Sequence, residues 1–120
     1  MEKVKGIGGI FFRSKDPKAL ADWYETYLGI NPSPTTMDQA PWVTEEGVTV
    51  FAPFAEDTEY FKRESQFMVN FRVGDMDAML KQLAGAGVEP KNDVTEEGLG
   101  RFVHIHDPEG NSIELWEPAF

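Results

Sequence analysis

Two histidines and a glutamate, His104, His106 and Glu114, flank the turn Asp107-Pro108-Glu109-Gly110 near the C-terminal end. Imidazole and carboxylate groups can bind a divalent metal, pass a proton or hold a ligand, provided the chain brings them together. The turn decides that. Asp-Pro-Glu-Gly suits a type I turn with Gly110 in the left-handed position, which closes a three-residue hairpin loop. In that register Asp107 pairs with Asn111, His106 faces Ser112, His104 faces Glu114, and Phe102 faces Trp116, the last three pairs all on one face. Opposed residues hold their Cβ atoms about 5 Å apart, so His104 and Glu114 are placed to touch.

The pair admits three readings. It is a hydrogen bond that satisfies two polar groups in a pocket wall. It is a recognition or proton-transfer dyad, in which the carboxylate orients an imidazole that binds an anion or moves a proton near neutrality. Or it is an atypical metal site of His104, Glu114 and His106, with much of the coordination sphere left to water because one hairpin covers only one side of an ion.

Other residues share that face. Strand-like alternation puts Val69, Phe71 and Val73 on one side and Met68, Asn70 and Arg72 on the other. Likewise Ile10 and Phe12 oppose Gly9, Phe11 and Arg13. One face is thus aliphatic or aromatic and belongs under helices. The other mixes aromatic and polar groups, as a ligand cup does. Phe11, Trp42, Phe51, Met68, Asn70, Arg72, Phe102, His104, Glu114 and Trp116 are the expected ligand-binding residues. Of the arginines, Arg72 is the stronger candidate, because on a partly apolar face it needs a carboxylate such as Glu114 or an anionic ligand.

Two helices position these strands. Asp16 caps the first, with Pro17 at its first position. Leu20, Trp23, Tyr24, Tyr27 and Leu28 form its apolar stripe, and Gly29 ends it. Asp75 caps the second, whose stripe is Met76, Met79, Leu80, Leu83 and Ala84. The chain repeats itself: IFFRSKDPKAL (10–20) and VNFRVGDMDAML (69–80) share Phe-Arg-x-x-Asp at the end of a strand and the start of a helix. In each half a later glycine, Gly47 or Gly110, precedes another apolar strand. Two units of half the chain length indicate an internal duplication within one domain, residues 1–120, made of a module 1–58 and a module 66–120. The polar stretch around 53–66 reads as a linker, and the proline-rich 31–41 as an irregular loop.

Composition narrows the function. A net charge of −10 disfavours nucleic acid and anionic membranes as partners. No apolar run approaches the ~20 residues of a membrane span, and the N-terminal residues lack a secretory-signal pattern. There is no cysteine, so thiol catalysis and zinc-thiolate sites are excluded and a reducing cytoplasm is the expected location.

The order strand, Asp, helix, Gly and strands, twice over, resembles the vicinal oxygen chelate superfamily, as do DPEGNSIEL (107–115) and WYETYLG (23–29). That group includes glyoxalase I, extradiol dioxygenases and bleomycin-resistance proteins. The resemblance implies an α+β fold of two βαβββ modules whose curled mixed sheet surrounds a cup, often in a homodimer. The superfamily's metal enzymes place ligands at four equivalent positions, which fall here on Gly9, Phe51, Met68 and Glu114. Only Glu114 is a ligand type for a hard divalent cation. The resemblance therefore implies no metal and no cofactor, and a small organic molecule, aromatic or anionic, as the partner. The alternatives are a metal-dependent lyase, isomerase or transferase of the glyoxalase I type, and a protein-interaction module whose cup is filled by its own loops.

Overall fold

The computed structural model describes residues 1–120. Its regular elements are α1 (Pro17–Leu28), β1 (Val69–Arg72), α2 (Met76–Ala84), β2 (Asn92–Glu96), β3 (Gly100–His106) and β4 (Ser112–Pro118). The strands form one mixed sheet in the order β1-β4-β3-β2. β1 runs parallel to β4, and β3 is antiparallel to both β4 and β2. A parallel pair needs a long crossover, which here consists of α2 and the β2–β3 hairpin.

Both helices begin and end where local chemistry dictates. The Asp16 carboxylate accepts from the Ala19 amide at 3.2 Å, and the Asp75 carboxylate from the Ala78 amide at 3.0 Å. Each satisfies an amide that the first helical turn leaves without a partner. Gly29, at φ 72°, ends α1 in the left-handed conformation.

The core lies between the helices and one face of the sheet. Met76 and Leu83 of α2 pack on Val103, Ile105, Ile113 and Leu115, with Trp23, Tyr24, Tyr27, Leu28, Met79 and Leu80 around them. The two apolar stripes therefore meet on this face, except that Ala84 is exposed. Near-complete burial of aliphatic side chains supplies the main stabilisation, about 1.5–3 kcal/mol each.

The β3–β4 hairpin also holds both helices through carboxylates. At its turn, Glu109 accepts from the Ser14 hydroxyl at 2.7 Å and the Lys15 amide at 2.9 Å, just ahead of α1. Asp107 accepts from the Tyr24 hydroxyl at 2.7 Å, and from the amides of Glu109 and Asn111. At the far end, Glu117 accepts from the Met76 amide at 2.7 Å, the first residue of α2. Gly100 lets the strands close, since a Cβ there would lie 2.1 Å from the Glu117 carbonyl oxygen.

The two halves differ in organisation. The second forms a complete βαβββ unit, β1-α2-β2-β3-β4. In the first, only α1 is regular: residues 1–14 and 42–54 form no strand. The expected pair of matching modules closing a curled sheet is thus realised in one half only. The reason is physical. Alternating sequence favours extended backbone, but a strand exists only where a neighbouring edge accepts its hydrogen bonds. Beside β1, the carbonyls of Glu45 and Glu46 accept from the Arg72 guanidinium instead, at 2.7 and 3.3 Å. The apolar residues of these segments remain open, with Phe11 91% and Phe51 90% exposed. No helix is long and apolar enough to cross a membrane.

Candidate functional site

The face of the sheet opposite α2 carries Asn70 from β1, Ser112, Glu114 and Trp116 from β4, and Phe102, His104 and His106 from β3. The tight turn at Gly110, φ 84°, sets this register. His104 faces Glu114, His106 faces Ser112, Phe102 faces Trp116, and Asn70 lies beside Glu114 on the other side.

Glu114 is the centre of the face. It is only 6% exposed, a costly place for a charge without partners. One oxygen, Oε1, accepts from Asn70 Nδ2 at 2.7 Å. The other, Oε2, accepts from His104 Nε2 at 2.8 Å and from the Tyr60 hydroxyl. Burial raises the carboxyl pKa, but the bonds from His104, Tyr60 and Asn70 outweigh it and hold the group below its ordinary value of 4.5. Glu114 is therefore ionised at neutral pH. An ionised carboxylate only accepts, so Nε2 of His104 carries the shared hydrogen. Tyr60 is held protonated: burial, then its bond to Glu114, raises the phenol well above its usual value. Its ring stands edge-on to His104 at 4.8 Å.

Tyr60 could not be assigned from the hairpin. It lies in 53–66, which reads as a polar linker, yet Phe54, Tyr60 and Phe61 form an aromatic cluster with centroids 5.5 and 5.7 Å apart. The one sequence signal was the aromatic pair Tyr60-Phe61 inside an otherwise charged run.

An open space of about 1680 Å³ separates the two halves. Trp42, Phe51, Met68, Asn70, Arg72 and Trp116 line it together with Phe12 and Arg13. Phe12 takes the place expected of Phe11, which points away because this segment is not held in a sheet register. Phe102, His104 and Glu114 also lie off the lining. Phe102 stacks on Trp116, centroids 5.8 Å apart and planes 5° from parallel, and the Trp116 indole donates to the Leu99 carbonyl at 3.0 Å. This stack is part of the wall. Trp42 meets the Phe71 ring edge-on at 6.2 Å. Arg72 does not reach Glu114, because the Glu45 and Glu46 carbonyls hold its guanidinium.

A smaller cavity of about 140 Å³ adjoins this face at the turn end, between Lys62, Lys91, His104, His106, Met68 and Ser112. His106 is pushed below its ordinary value by burial, and then by the nearby Lys62 and Lys91.

The residues present do not fit a divalent metal. No three His, Cys, Asp or Glu groups converge. Glu114 already has both oxygens bonded to Asn70, Tyr60 and His104. His106 lies against Ser112 and does not join it.

A family model described as a glyoxalase-like domain matches residues 9–116. No curated protein matches the chain. Among solved structures, a glyoxylase/bleomycin resistance protein/dioxygenase domain from Frankia sp. EAN1pec is 16% identical with a TM-score of 0.62, covering 97% of this chain and 99% of that one. An antibiotic binding protein from Streptomyces sp. CB03234 is 20% identical with a TM-score of 0.53, covering 88% of each chain. A lactoylglutathione lyase from Agrobacterium tumefaciens is 15% identical with a TM-score of 0.52, covering 94% of this chain and 96% of that one. At these identities the likeness is one of fold. The family match spans most of the sequence and agrees with the fold, so the chain belongs to the glyoxalase-like domains of the vicinal oxygen chelate superfamily.

Proposed function

We propose that this protein binds a small organic molecule in the open space between its two halves, beside the sheet face that Glu114 organises, without a metal. One observation carries the reading. An open space walled by aromatic and polar groups adjoins this face along Met68, Asn70, Arg72, Ser112 and Trp116, while the buried Glu114 carboxylate lies outside its lining and is held by three donors. Such a site can bind by shape and placed polar groups. A neighbour of the same fold is an antibiotic-binding protein, which supports the same class of activity. The competing lyase, isomerase or transferase reading shares its fold with the lactoylglutathione lyase, but Gly9, Phe51 and Met68 deprive it of a ligand set.

Trp42, Met68, Asn70 and Arg72 contact the ligand in this reading, and His104 and Glu114 hold the wall. The cysteine-free chain suits a reducing cytoplasm, and a second copy covers the unpaired apolar segments of the first half. A thermal-shift screen of aromatic and acidic small molecules tests the proposal, alongside elemental analysis of protein prepared without chelators. Hits weakened by Trp42→Ala support it. Stoichiometric bound metal, or metal-dependent turnover of a hemithioacetal, would overturn it.

A further inference from the structure

The small cavity at the turn end of the face has a composition unlike the rest of the molecule. The chain carries a net charge of −10, yet this cavity gathers Lys62, Lys91 and His106, with Glu59 as the acidic group on its rim. None of the four ion pairs of the chain includes either lysine. The Lys62 ammonium lies over the turn, 3.0 Å from where a Cβ on Gly110 would sit. Lys91 is fixed beside β3 by its own amide, which donates to the His104 carbonyl at 2.8 Å. Ser112 lines the cavity, and its hydroxyl lies 3.3 Å from that of Ser65.

We propose that this cavity is an anion subsite, in which Lys62, Lys91 and His106 receive the carboxylate or tetrahedral oxyanion of the molecule bound over the sheet. The proposal rests on the small-molecule reading above and specifies its ligand as acidic. Size supports it. At about 140 Å³ the cavity is well below the ~300–1000 Å³ of a whole ligand site, so it takes one group. It shares Lys62, Met68, Ser112 and Ile113 with the wall of the larger space, which leaves room for the rest of the ligand. Charge supports it too. Lysines hold oxyanions as point charges, and serine hydroxyls add neutral donors. The two buried carboxylates of the hairpin are already bonded, Glu114 to His104, Tyr60 and Asn70, and Asp107 to the Tyr24 hydroxyl and the amides of Glu109 and Asn111.

The groups facing His106 give a direct readout. Lys62, Lys91 and His104 disfavour its protonation, and Asp107 favours it. An anion seated among them must raise its pKa toward or above the ordinary 6.5. The test is a proton NMR titration of both histidines in chloride, sulfate and acetate at constant ionic strength. The expected result is a saturable rise in the His106 pKa with sulfate, acetate or both, the stronger arm identifying the anion type. Lys62→Gln with Lys91→Gln weakens it by about tenfold or more, as loss of charged hydrogen bonds requires. Each single variant, with an unchanged amide spectrum as the control for folding, gives an intermediate effect. A His106 pKa that is the same in all three salts, or moves equally in the double variant, overturns the subsite. The anion titration needs no organic ligand. Its failure leaves screening hits standing, and an empty screen leaves a positive titration standing.

Discussion

Replacing Glu114 with alanine removes the acceptor shared by His104, Tyr60 and Asn70. Hydrogen bonds to a charged group contribute about 1.5–3 kcal/mol each, but the three do not add. Their donors differ in access to water. Tyr60 is 42% exposed and Asn70 also reaches solvent, so both re-pair with water. The His104 side chain is only 14% exposed, so its N–H is the one left dry. The expected loss is therefore about 2–3 kcal/mol, near a single dry charged bond. It also depends on pH. The folded-state pKa of Glu114 is depressed below 4.5, so its contribution is present above that unfolded value and lost as pH falls through the folded one. Urea denaturation of wild type and Glu114→Ala at pH 7 and at about pH 3.5 reads both effects. The difference in midpoint should be large at pH 7 and smaller in acid. Equal stability at pH 7, or a difference unchanged in acid, would refute the view that an ionised Glu114 organises this face.

Three further outcomes follow from the same geometry. Tyr60→Phe keeps the ring against His104 but removes one donor to Glu114, and should cost about 1–2 kcal/mol in the same assay. Its main effect should be faster hydrogen exchange in 53–66, while exchange in β3 stays slow. Glu109→Ala frees the Ser14 hydroxyl and the Lys15 amide, so exchange at Lys15 and Asp16 should accelerate before α1 itself loosens; unchanged exchange there would mean the contact contributes nothing. The open apolar residues of the first half predict self-association, so light scattering should give twice the chain mass. A monomer at all concentrations would leave Phe11 and Phe51 in water and count against a second copy.

The parts of the molecule that sequence made legible are those set by local rules. Asp16 with Pro17, and Asp75, mark helix starts because capping involves residues within one turn. The register of β3 on β4 follows from a four-residue turn, which is why the contact between His104 and Glu114 could be anticipated. Long-range partners could not. Tyr60 is 54 residues from Glu114, and no periodicity links a loop to the strand it covers. The partner of Arg72 was equally hidden, because any carbonyl can accept from a guanidinium and backbone carbonyls leave no trace in side-chain pattern. In the first half, alternation around Ile10–Arg13 and the apolar stretch after Gly47 suggest strands that the structure does not form. Neither says which edge, in this chain or another, receives the hydrogen bonds.

The turn and the strands around it divide the polar residues between two tasks. Asp107, Glu109 and Asn111 are bonded within the turn or to Tyr24, Ser14 and Lys15. They hold the first half of the chain, although Glu109 and Asn111 also border the open space. Glu117 does the same for α2. Glu114, on the sheet face opposite α2, is instead an acceptor for three side chains from three separate segments. A carboxylate so bonded has three of its roughly four acceptor sites occupied, so a ligand gains little by contacting it directly. What Glu114 supplies is position: it fixes the His104 ring, the Tyr60 hydroxyl and the Asn70 amide relative to one another. Recognition then falls to groups that remain free on either side, the aromatic wall toward Trp42 and the cationic cavity of Lys62, Lys91 and His106. A substitution at Glu114 should therefore weaken every ligand alike, whereas one at Lys62 or Lys91 should discriminate acidic ligands from neutral ones.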